Sequence, residues 1–184
     1  MAHFAKLDEN NVVIDVIKIA NEDLESHGGD WSVEAEQWVN NTFKGIYKQT
    51  SYNSDGGKYC VYTDIETDES GAVTRRSVEE LENDPRCKRW SFAKRGGTYN
   101  PEQDVFVGIQ PHASWILNTS TWRYDPPIAY PSVLTYGDGS EAYYVVWEED
   151  NLRWLGYDRE NNEFAWNPDS SSWLEIGSWV ATGN

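Results

Sequence analysis

Hydrophobic and polar positions in the second half of the chain follow a recurring pattern: an aromatic residue, six intervening residues and a second aromatic residue. The pattern occurs five times, as YNPEQDVF (99–106), WILNTSTW (115–122), WEEDNLRW (147–154), YDRENNEF (157–164) and WNPDSSSW (166–173). A spacing of seven also places two residues on one face of a helix. Here the enclosed residues are mostly Asn, Asp, Ser, Thr, Glu and Pro, which favour turns, whereas the flanking aromatic residues favour strands. Each segment is therefore predicted to form a short hairpin.

The two aromatic residues of each segment are predicted to face each other across the hairpin. A two- or four-residue loop makes the first and last positions of such a hairpin direct cross-strand partners. The pair adds roughly 0.2 to 1 kcal/mol relative to two alanines, which matters because an isolated hairpin is marginal in water. The five predicted pairs are Tyr99 with Phe106, Trp115 with Trp122, Trp147 with Trp154, Tyr157 with Phe164, and Trp166 with Trp173.

The first half of the chain also favours strands. FAKLDENNVVIDVIKI and KYCVYTDIETDESGAVTRRS place turn-forming DENN and DESG between strand-like arms, so both are predicted to be hairpins. SVEAEQWVNNTF is predicted to form a short helix capped by Asp30 or Ser32. Ser77 and Glu80 fit a reciprocal capping box, which predicts a brief helix over SVEELEND. The predicted strands span residues 3–8, 11–19, 46–52 and 58–65.

These elements predict an all-β or β-dominated fold with at most two short helices and no helix from about Trp90 onward. We expect an N-terminal β-rich domain at 1–95, with the short helices and an inserted hairpin, and an aromatic hairpin region at 96–184. A proline-rich link, RYDPPIAYPSVLTYGDGSE, interrupts the spacing of the hairpins. The second region is therefore expected to be a series of small hairpins and not a closed propeller.

Composition narrows the class of partner. The 184 residues are 39% hydrophobic and 14% aromatic, which is enough to build a core for one domain or two small ones. The net charge of -16 repels phosphate backbones and anionic lipid, so we expect neither a nucleic-acid nor a membrane partner. No stretch approaches the roughly 20 apolar residues of a membrane span, and MAHFAKLDENN lacks the layout of a signal peptide. Synthesis in a cytosol is expected.

Residues with catalytic or metal-binding chemistry are scattered along the chain. Cys60 and Cys87 have no second pair and no neighbouring histidine, so both are predicted to be free, buried thiols. The three histidines stand in different contexts, and no catalytic signature such as a Gly-x-Ser-x-Gly elbow occurs. DIETDESG alternates acids somewhat as a calcium loop does, but its glycine stands at the wrong position, which favours a solvated turn. We therefore expect no catalytic residue, no metal ion and no cofactor.

The surplus of tryptophan is the feature best able to carry function. Seven of the ten tryptophans fall between Trp115 and Trp179, in a segment whose short strands can cover them only partly. Either the hairpins cover one another in a single β core, or a partner protein or a stacked sugar ring covers them. The candidate residues for contact with a partner or a glycan are Trp115, Trp122, Trp147, Trp154, Trp166 and Trp173.

Five segments carry a resemblance to known proteins: MAHFAKLDENNVVIDVI, QTSYN, GGTYNPEQDVF, PHASWILNTSTWRYDPPIAYP and FAWNPDSSSWLEI. Together they resemble a group of small proteins encoded by marine tailed phages, especially those that infect cyanobacteria. The segment from about residue 59 to 89 does not fit and looks like an insertion. The group typically has acidic residues where this chain has LNTST and a proline-rich link where it has VGIQPHAS. The resemblance implies a phage origin and a place in the virion, and it implies no activity.

Two functions are therefore expected as alternatives. The first is a non-enzymatic virion structural protein, either a capsid decoration subunit or an accessory of the tail, baseplate or fibre, which docks on other virion proteins or on a second copy of itself. The alternative is a glycan-binding adsorption module, in which exposed tryptophans of the C-terminal hairpins stack on sugars of the host surface. In both cases the protein is synthesised in the host cytoplasm and resides in the virion.

Overall fold

The computed structural model describes residues 1–135 and 144–176. Strands account for 43% of the described residues and helices for 10%, which confirms the β-dominated fold. The chain divides into two compact units, Met1–Gln110 with Asn118–Arg123, and Pro111–Leu117 with Tyr124–Asn184. Each unit is built from small antiparallel sheets, and both helices lie in the first.

A three-stranded sheet with two helices forms the start of the first unit. Its strands are β1 (Ala2–Leu7), β2 (Val13–Ile19) and β3 (Ile46–Thr50), in the order β2-β1-β3, and its helices are α1 (Asn21–Glu25) and α2 (Val33–Phe43). The hydroxyl of Ser32 accepts a hydrogen bond from the backbone N–H of Ala35 at 2.9 Å, so the predicted cap of α2 is confirmed. The expected first strands are confirmed as well, with ends that differ by one or two residues.

The central strand β1 is buried on both faces. On one face Phe4 packs with Leu24 of α1 and Val39 of α2, and all three are fully buried. On the other face Ala5 and Leu7 pack in a second cluster with residues that follow the sheet. Because a central strand has no solvated face, its residues are apolar at most positions, whereas the outer strand β2 is fully buried only at its two ends.

A long hairpin occupies the segment that the resemblance leaves out. Strand β4 (Ser54–Asp55) pairs with β5 (Lys58–Thr67), and β5 pairs with β6 (Val73–Glu82) around a turn that contains DESG, as predicted. The predicted helix over SVEELEND is wrong, because its first six residues, Ser77 to Glu82, form the second half of β6. A capping box is a local signal, and pairing along the whole of β5 overrides it.

A short hairpin completes the first unit and places the division of the chain later than expected. Strands β7 (Thr98–Asn100) and β8 (Val105–Val107) bring Tyr99 and Phe106 into the cluster that contains Leu7. This packing ties the hairpin to the N-terminal sheet. The continuous part of the first unit therefore runs to Gln110, beyond the boundary that the sequence predicts near residue 95.

The second unit is built around a four-stranded antiparallel sheet. Strands β9 (Ile116–Asn118) and β10 (Arg123–Asp125) form a separate hairpin, whose turn belongs to the first unit. The main sheet has its strands in chain order, each joined to the next by a short loop: β11 (Tyr144–Glu148), β12 (Arg153–Tyr157), β13 (Glu163–Asn167) and β14 (Ser172–Glu175). Among the described residues that follow Trp90 there is no helix, in agreement with the prediction.

Candidate functional site

One kind of loop recurs in four hairpins and sets their register. In each of them four residues separate the strands, and the fourth residue has a positive φ of 48° to 53°; these residues are Asp104, Trp122, Leu152 and Ser171. In three of the hairpins the residue before the loop is an asparagine whose side-chain oxygen accepts backbone N–H groups of the loop; these are Asn100, Asn118 and Asn167. A turn of this kind is favoured because the Asn oxygen satisfies N–H groups that face solvent.

The four-residue loop makes three of the five predicted aromatic pairs direct cross-strand partners. Trp147 lies opposite Trp154, with ring centroids 5.1 Å apart and an interplanar angle of 70°. Trp166 lies opposite Trp173, with corresponding values of 5.2 Å and 61°. The third pair is Tyr99 with Phe106, at 5.2 Å. The tryptophan pairs meet edge to face, the geometry that the ring quadrupole favours.

The other two segments have a different register. Tyr157 lies opposite Glu163, and Phe164 lies opposite Gly156, so the predicted pair of Tyr157 with Phe164 is wrong. The cause is a five-residue loop headed by Asp158, whose carboxylate accepts two backbone N–H bonds from later loop residues. Trp122 is the last residue of its loop and lies in no strand, so the hairpin of WILNTSTW is centred two residues later than the pattern indicates.

The four tryptophans of the main sheet share one face, which we call the tryptophan face. Trp147 pairs with Trp154 and Trp166 with Trp173, and the register of β12 with β13 aligns the two pairs in a row across all four strands. Three of these rings are buried and form a cluster, on which Trp115 and Ile128 also pack. The expectation that the hairpins cover one another in a single β core is met for these rings.

Two indole N–H groups hold the proline-rich link on the tryptophan face. Nε1 of Trp154 donates to the carbonyl of Ile128 at 2.9 Å, and Nε1 of Trp173 donates to that of Val133 at 2.7 Å. Both acceptors lie in the proline-rich link. A peptide segment anchored by two buried or half-buried donors can cover apolar rings without leaving their polar atoms unsatisfied. Within the described part of the link, Ile128 thus packs on the tryptophan cluster.

Glu149 anchors a second chain segment, the one that contains Ser114 and leads into Trp115. Its carboxylate accepts hydrogen bonds from Nε1 of Trp147 at 2.8 Å, and from the backbone N–H and hydroxyl of Ser114 at 2.7 and 2.9 Å. Desolvation would raise the pKa of Glu149, but these hydrogen bonds lower it below its ordinary value. His112 lies 3.9 Å away. The charged carboxylate therefore fixes the chain that leads into Trp115.

The structure places the six predicted contact residues in three situations. Trp147, Trp154 and Trp166 are 5% to 8% exposed, so their rings belong to the interior. Trp115 and Trp173 are half-buried at the rim of the tryptophan face. Trp122 is half-buried at the tip of its hairpin. Accessible ring surface therefore remains only on the last three, and Trp179 lies outside the described residues.

The opposite face of the same sheet carries a row of apolar residues that are not among the predicted contact residues. Val146 lies opposite Leu155, Leu155 opposite Ala165, and Ala165 opposite Leu174, so one row of apolar side chains crosses all four strands. Tyr144 stands on the same face one step along β11, and it is 72% exposed; Leu174 at the other edge is 40% exposed. We call these five residues the apolar face. Each member of the row is the strand neighbour of a tryptophan, which is the signal that could have identified it.

A groove of about 450 Å³ lies in the first unit, beside the edge strand β3. Three aromatic side chains line it, together with amide, hydroxyl and charged groups. The aromatic residues are Trp31, Tyr52 and Tyr59. The guanidinium of Arg86 lies 4.2 Å from the centre of the Tyr59 ring. Rings beside convergent polar groups form the kind of site that binds small polar molecules.

Gln49 holds one wall of the groove in place. It is 2% exposed, and its side chain donates to the carboxylate of Asp30 and accepts from the backbone N–H of Trp31 at 2.9 Å. Trp31 itself has a φ of 64°, a conformation that is costly for a bulky residue. The buried amide of Gln49 therefore holds Trp31 in this costly backbone conformation, which the loop would not adopt by itself.

A partly buried ion pair lies behind the same wall. Nη1 of Arg89 is 2.7 Å from the carboxylate of Glu36 and donates to the carbonyl of Gln49, while its Nε is 2.7 Å from the carboxylate of Asp104. Desolvation would raise the pKa of Glu36, but hydrogen bonds from Arg89, Lys48 and the backbone of Gln49 lower it below its ordinary value. The pair joins α2 and β3 to the hairpin of β7 and β8.

Within residues 1–135 and 144–176, no group of three or more His, Cys, Asp or Glu side chains is placed to hold a metal ion. In the same ranges no helix has the length and apolar character needed to cross a membrane. Cys60 and Cys87 are free thiols; Cys60 is buried, whereas Cys87 is only partly so. Comparisons with family models, with curated proteins and with solved structures find no match to this chain.

Proposed function

We propose that the protein is a non-enzymatic structural component of a phage particle, made in the host cytoplasm, that docks on another protein of the capsid, tail or baseplate through its apolar face. The observation that supports this proposal is the row from Val146 to Leu174, which crosses the whole sheet. Leu174 at one edge and Tyr144, two residues before Val146 at the other edge, are exposed, whereas Val146 and Ala165 are half-buried and Leu155 is buried. In this sheet of four short strands the tryptophan face already builds the core, and an antiparallel sheet can expose its other face to water. A second apolar face is therefore better explained by contact with a partner.

The character of this face favours a protein partner over a sugar. Aliphatic side chains such as Val146 and Leu174 offer dispersion and desolvation but no hydrogen bonds, which a sugar needs for its hydroxyl groups. The exposed Tyr144 adds one aromatic anchor of the type that dominates protein interfaces. The acidic chain also suits a partner whose contact surface carries basic residues at its rim.

Mass spectrometry of purified particles tests this proposal. The resemblance to marine phage proteins specifies the particles to examine, those of the phage that encodes the chain. We expect the protein to remain in particles after density-gradient purification and a high-salt wash. Its copy number is expected to be a multiple of the number of symmetry-related positions in the capsid, tail or baseplate. Its loss from washed particles that keep their other structural proteins would contradict the proposal.

The groove of the first unit supports a second candidate function, the binding of a host surface saccharide. This site replaces the tryptophans of the hairpins, since the rings of Trp147, Trp154 and Trp166 are buried. In the groove, Trp31 and Tyr52 offer ring faces beside the amide of Asn53, a combination suited to stacking and bonding a sugar ring.

Titration with glucose, galactose and N-acetylglucosamine oligosaccharides, followed by tryptophan fluorescence and calorimetry, tests this second candidate. We expect binding by the parent protein and its loss in Trp31→Ala, while Trp122→Ala, outside the groove, binds as the parent does. Equal binding by the two variants would exclude the groove as the site.

A further inference from the structure

Strand β6 presents a long outer edge with which no other described strand pairs. It is the outer strand of its sheet, and its residues are exposed from Val73 to Glu80. The outer half of β5 is exposed too, so the hairpin beyond Tyr62 extends as a two-stranded arm. Val78, near the middle of β6, is 50% exposed. An outer strand of this length offers a row of backbone N–H and C=O groups for pairing with another strand.

The edge strand β3 of the N-terminal sheet differs from β6. Along β3, the backbone N–H of Tyr47 donates to the side chain of Asn40, and that of Gln49 donates to the carboxylate of Glu36 at 3.0 Å. Along the helix, Asn40 lies about 6 Å from Glu36, and along the strand, Gln49 lies about 6.6 Å from Tyr47. Because these two spacings match, side chains one turn apart on α2 can accept from alternate backbone N–H groups of β3. Helix α2 therefore blocks strand addition at β3.

The charges along β6 are complementary to those of a second β6. The strand reads VTRRSVEELE, with Arg75 and Arg76 before its centre and Glu79 and Glu80 after it. Edges that are protected from association carry charges that repel a copy of themselves. This edge instead attracts a copy that runs in the opposite direction.

We infer that β6 is the surface by which two copies of this chain associate, through antiparallel pairing about a two-fold axis at Val78. A two-fold axis perpendicular to the sheet keeps both faces and places residues of equal parity opposite each other. With the axis at Val78, this valine contacts the partner's Val78, and Arg76 lies opposite the partner's Glu80. Arg76 is the last residue of β6 in the regular register with β5, and the register shifts begin after its partner Asp64.

The neighbouring strand extends the charge pattern. Arg76 already lies 2.7 Å from Asp64 of β5, and Glu80 lies 2.8 Å from Lys58. In the pair of subunits, acidic and basic side chains then alternate across four strands. The association also covers part of the exposed surface of Val78. It joins two marginal two-stranded arms into one four-stranded sheet.

Sedimentation equilibrium of the full chain and of charge-reversed variants tests this inference. Arg76→Glu and Glu80→Arg each place like charges opposite each other twice in the homodimer, so we expect dimerisation at least about tenfold weaker than in the parent. An equimolar mixture of the two variants restores opposite charges at both contacts and is expected to dimerise. A parent that is monomeric at all soluble concentrations, or a mixture that stays monomeric, would overturn the inference.

A cysteine at the axis tests the register. Val78→Cys is expected to form a covalent dimer on mild oxidation, seen on a non-reducing gel, whereas Glu82→Cys, which lies away from the axis, is not. Cross-linking at position 82 and none at 78 would contradict the proposed axis. The inference concerns the first unit alone, so its failure leaves the docking role proposed for the apolar face intact.

Discussion

The indole ring of Trp173 lies over Gly156, two strands away across the main sheet. A Cβ atom built on Gly156 would come within 2.9 Å of Cζ3 and 3.0 Å of Cη2 of this ring. The absence of a side chain at position 156 thus leaves the space that the indole occupies. From this position Nε1 of Trp173 reaches the carbonyl of Val133 in the proline-rich link.

Gly156→Ala is expected to destabilise the protein. The added methyl group must displace the Trp173 ring, and overpacking of this kind costs about 1 to 3 kcal/mol. Urea unfolding followed by tryptophan fluorescence measures the change in the free energy of unfolding. Gly108→Ala is the matched control, since no neighbouring atom lies within 4 Å of its added Cβ. Equal effects of the two substitutions would contradict the assigned packing.

Trp166→Ala is expected to remove a core side chain. Truncation of a buried tryptophan costs about 3 to 5 kcal/mol through lost burial and a residual cavity. Trp122→Asn, at a half-buried loop tip whose positive φ suits asparagine, is expected to change stability by no more than about 1 kcal/mol. Thermal and urea unfolding distinguish the two, and a neutral Trp166→Ala would show that the ring does not build the core.

Ser171→Gly is expected to stabilise the hairpin of β13 and β14. Ser171 has a φ of 48°, where a residue with a Cβ is strained and glycine is not, so the gain is roughly 0.5 to 1 kcal/mol. Ser170→Gly has no such strain to relieve and is expected to be neutral or slightly destabilising. The unfolding temperatures of the two variants, compared with the parent, check this difference in sign.

Glu36 is expected to make stability depend on pH. Its pKa is lower in the folded protein than in the unfolded chain, so its contribution is present above the unfolded value of about 4.3 and is lost as pH falls through the folded value. Urea unfolding at pH 7 and at pH 3 measures this loss. Glu36→Gln is expected to lower stability at pH 7 and to reduce the loss on acidification. Glu34→Gln, an exposed neighbour on the same helix, should behave as the parent does.

Local signals in the sequence predicted most of the strands and three of the five aromatic pairs. WEEDNLRW and WNPDSSSW were predicted correctly because a four-residue loop and a pair at its ends are both local features. The pair of Tyr157 with Phe164 failed because one further residue in the loop headed by Asp158 shifts the register. The helix predicted from Ser77 failed because its competitor, pairing with β5, involves residues distant in sequence.

The candidate sites depended on information that local patterns do not contain. The groove brings together Trp31, Tyr52 and Tyr59, and only the folded sheet makes them neighbours. The burial of Trp154 and Trp166 depends on the proline-rich link, whose role as a cover has no signature in its sequence. The apolar face was predictable in principle, since alternation along each strand places the neighbour of every tryptophan on the opposite face.

The docking proposal predicts that a substitution on the apolar face prevents incorporation into particles, whereas one off this face does not. Leu174→Lys places a charge on the apolar face, where burial against a partner would leave it unpaired, and is expected to spare folding but prevent incorporation into particles. Leu152→Lys, an exposed loop position that lies off this face, is the matched control and is expected to spare both.

The copy number of Leu174→Lys in purified particles, relative to Leu152→Lys and measured by quantitative mass spectrometry, tests this proposal most directly. The proposal predicts that Leu174→Lys unfolds at the temperature of the parent protein yet is depleted at least about tenfold from particles, the loss expected when a contact worth about 1.4 kcal/mol or more is removed. A Leu174→Lys protein that folds normally and enters particles at the copy number of the Leu152→Lys control would contradict it.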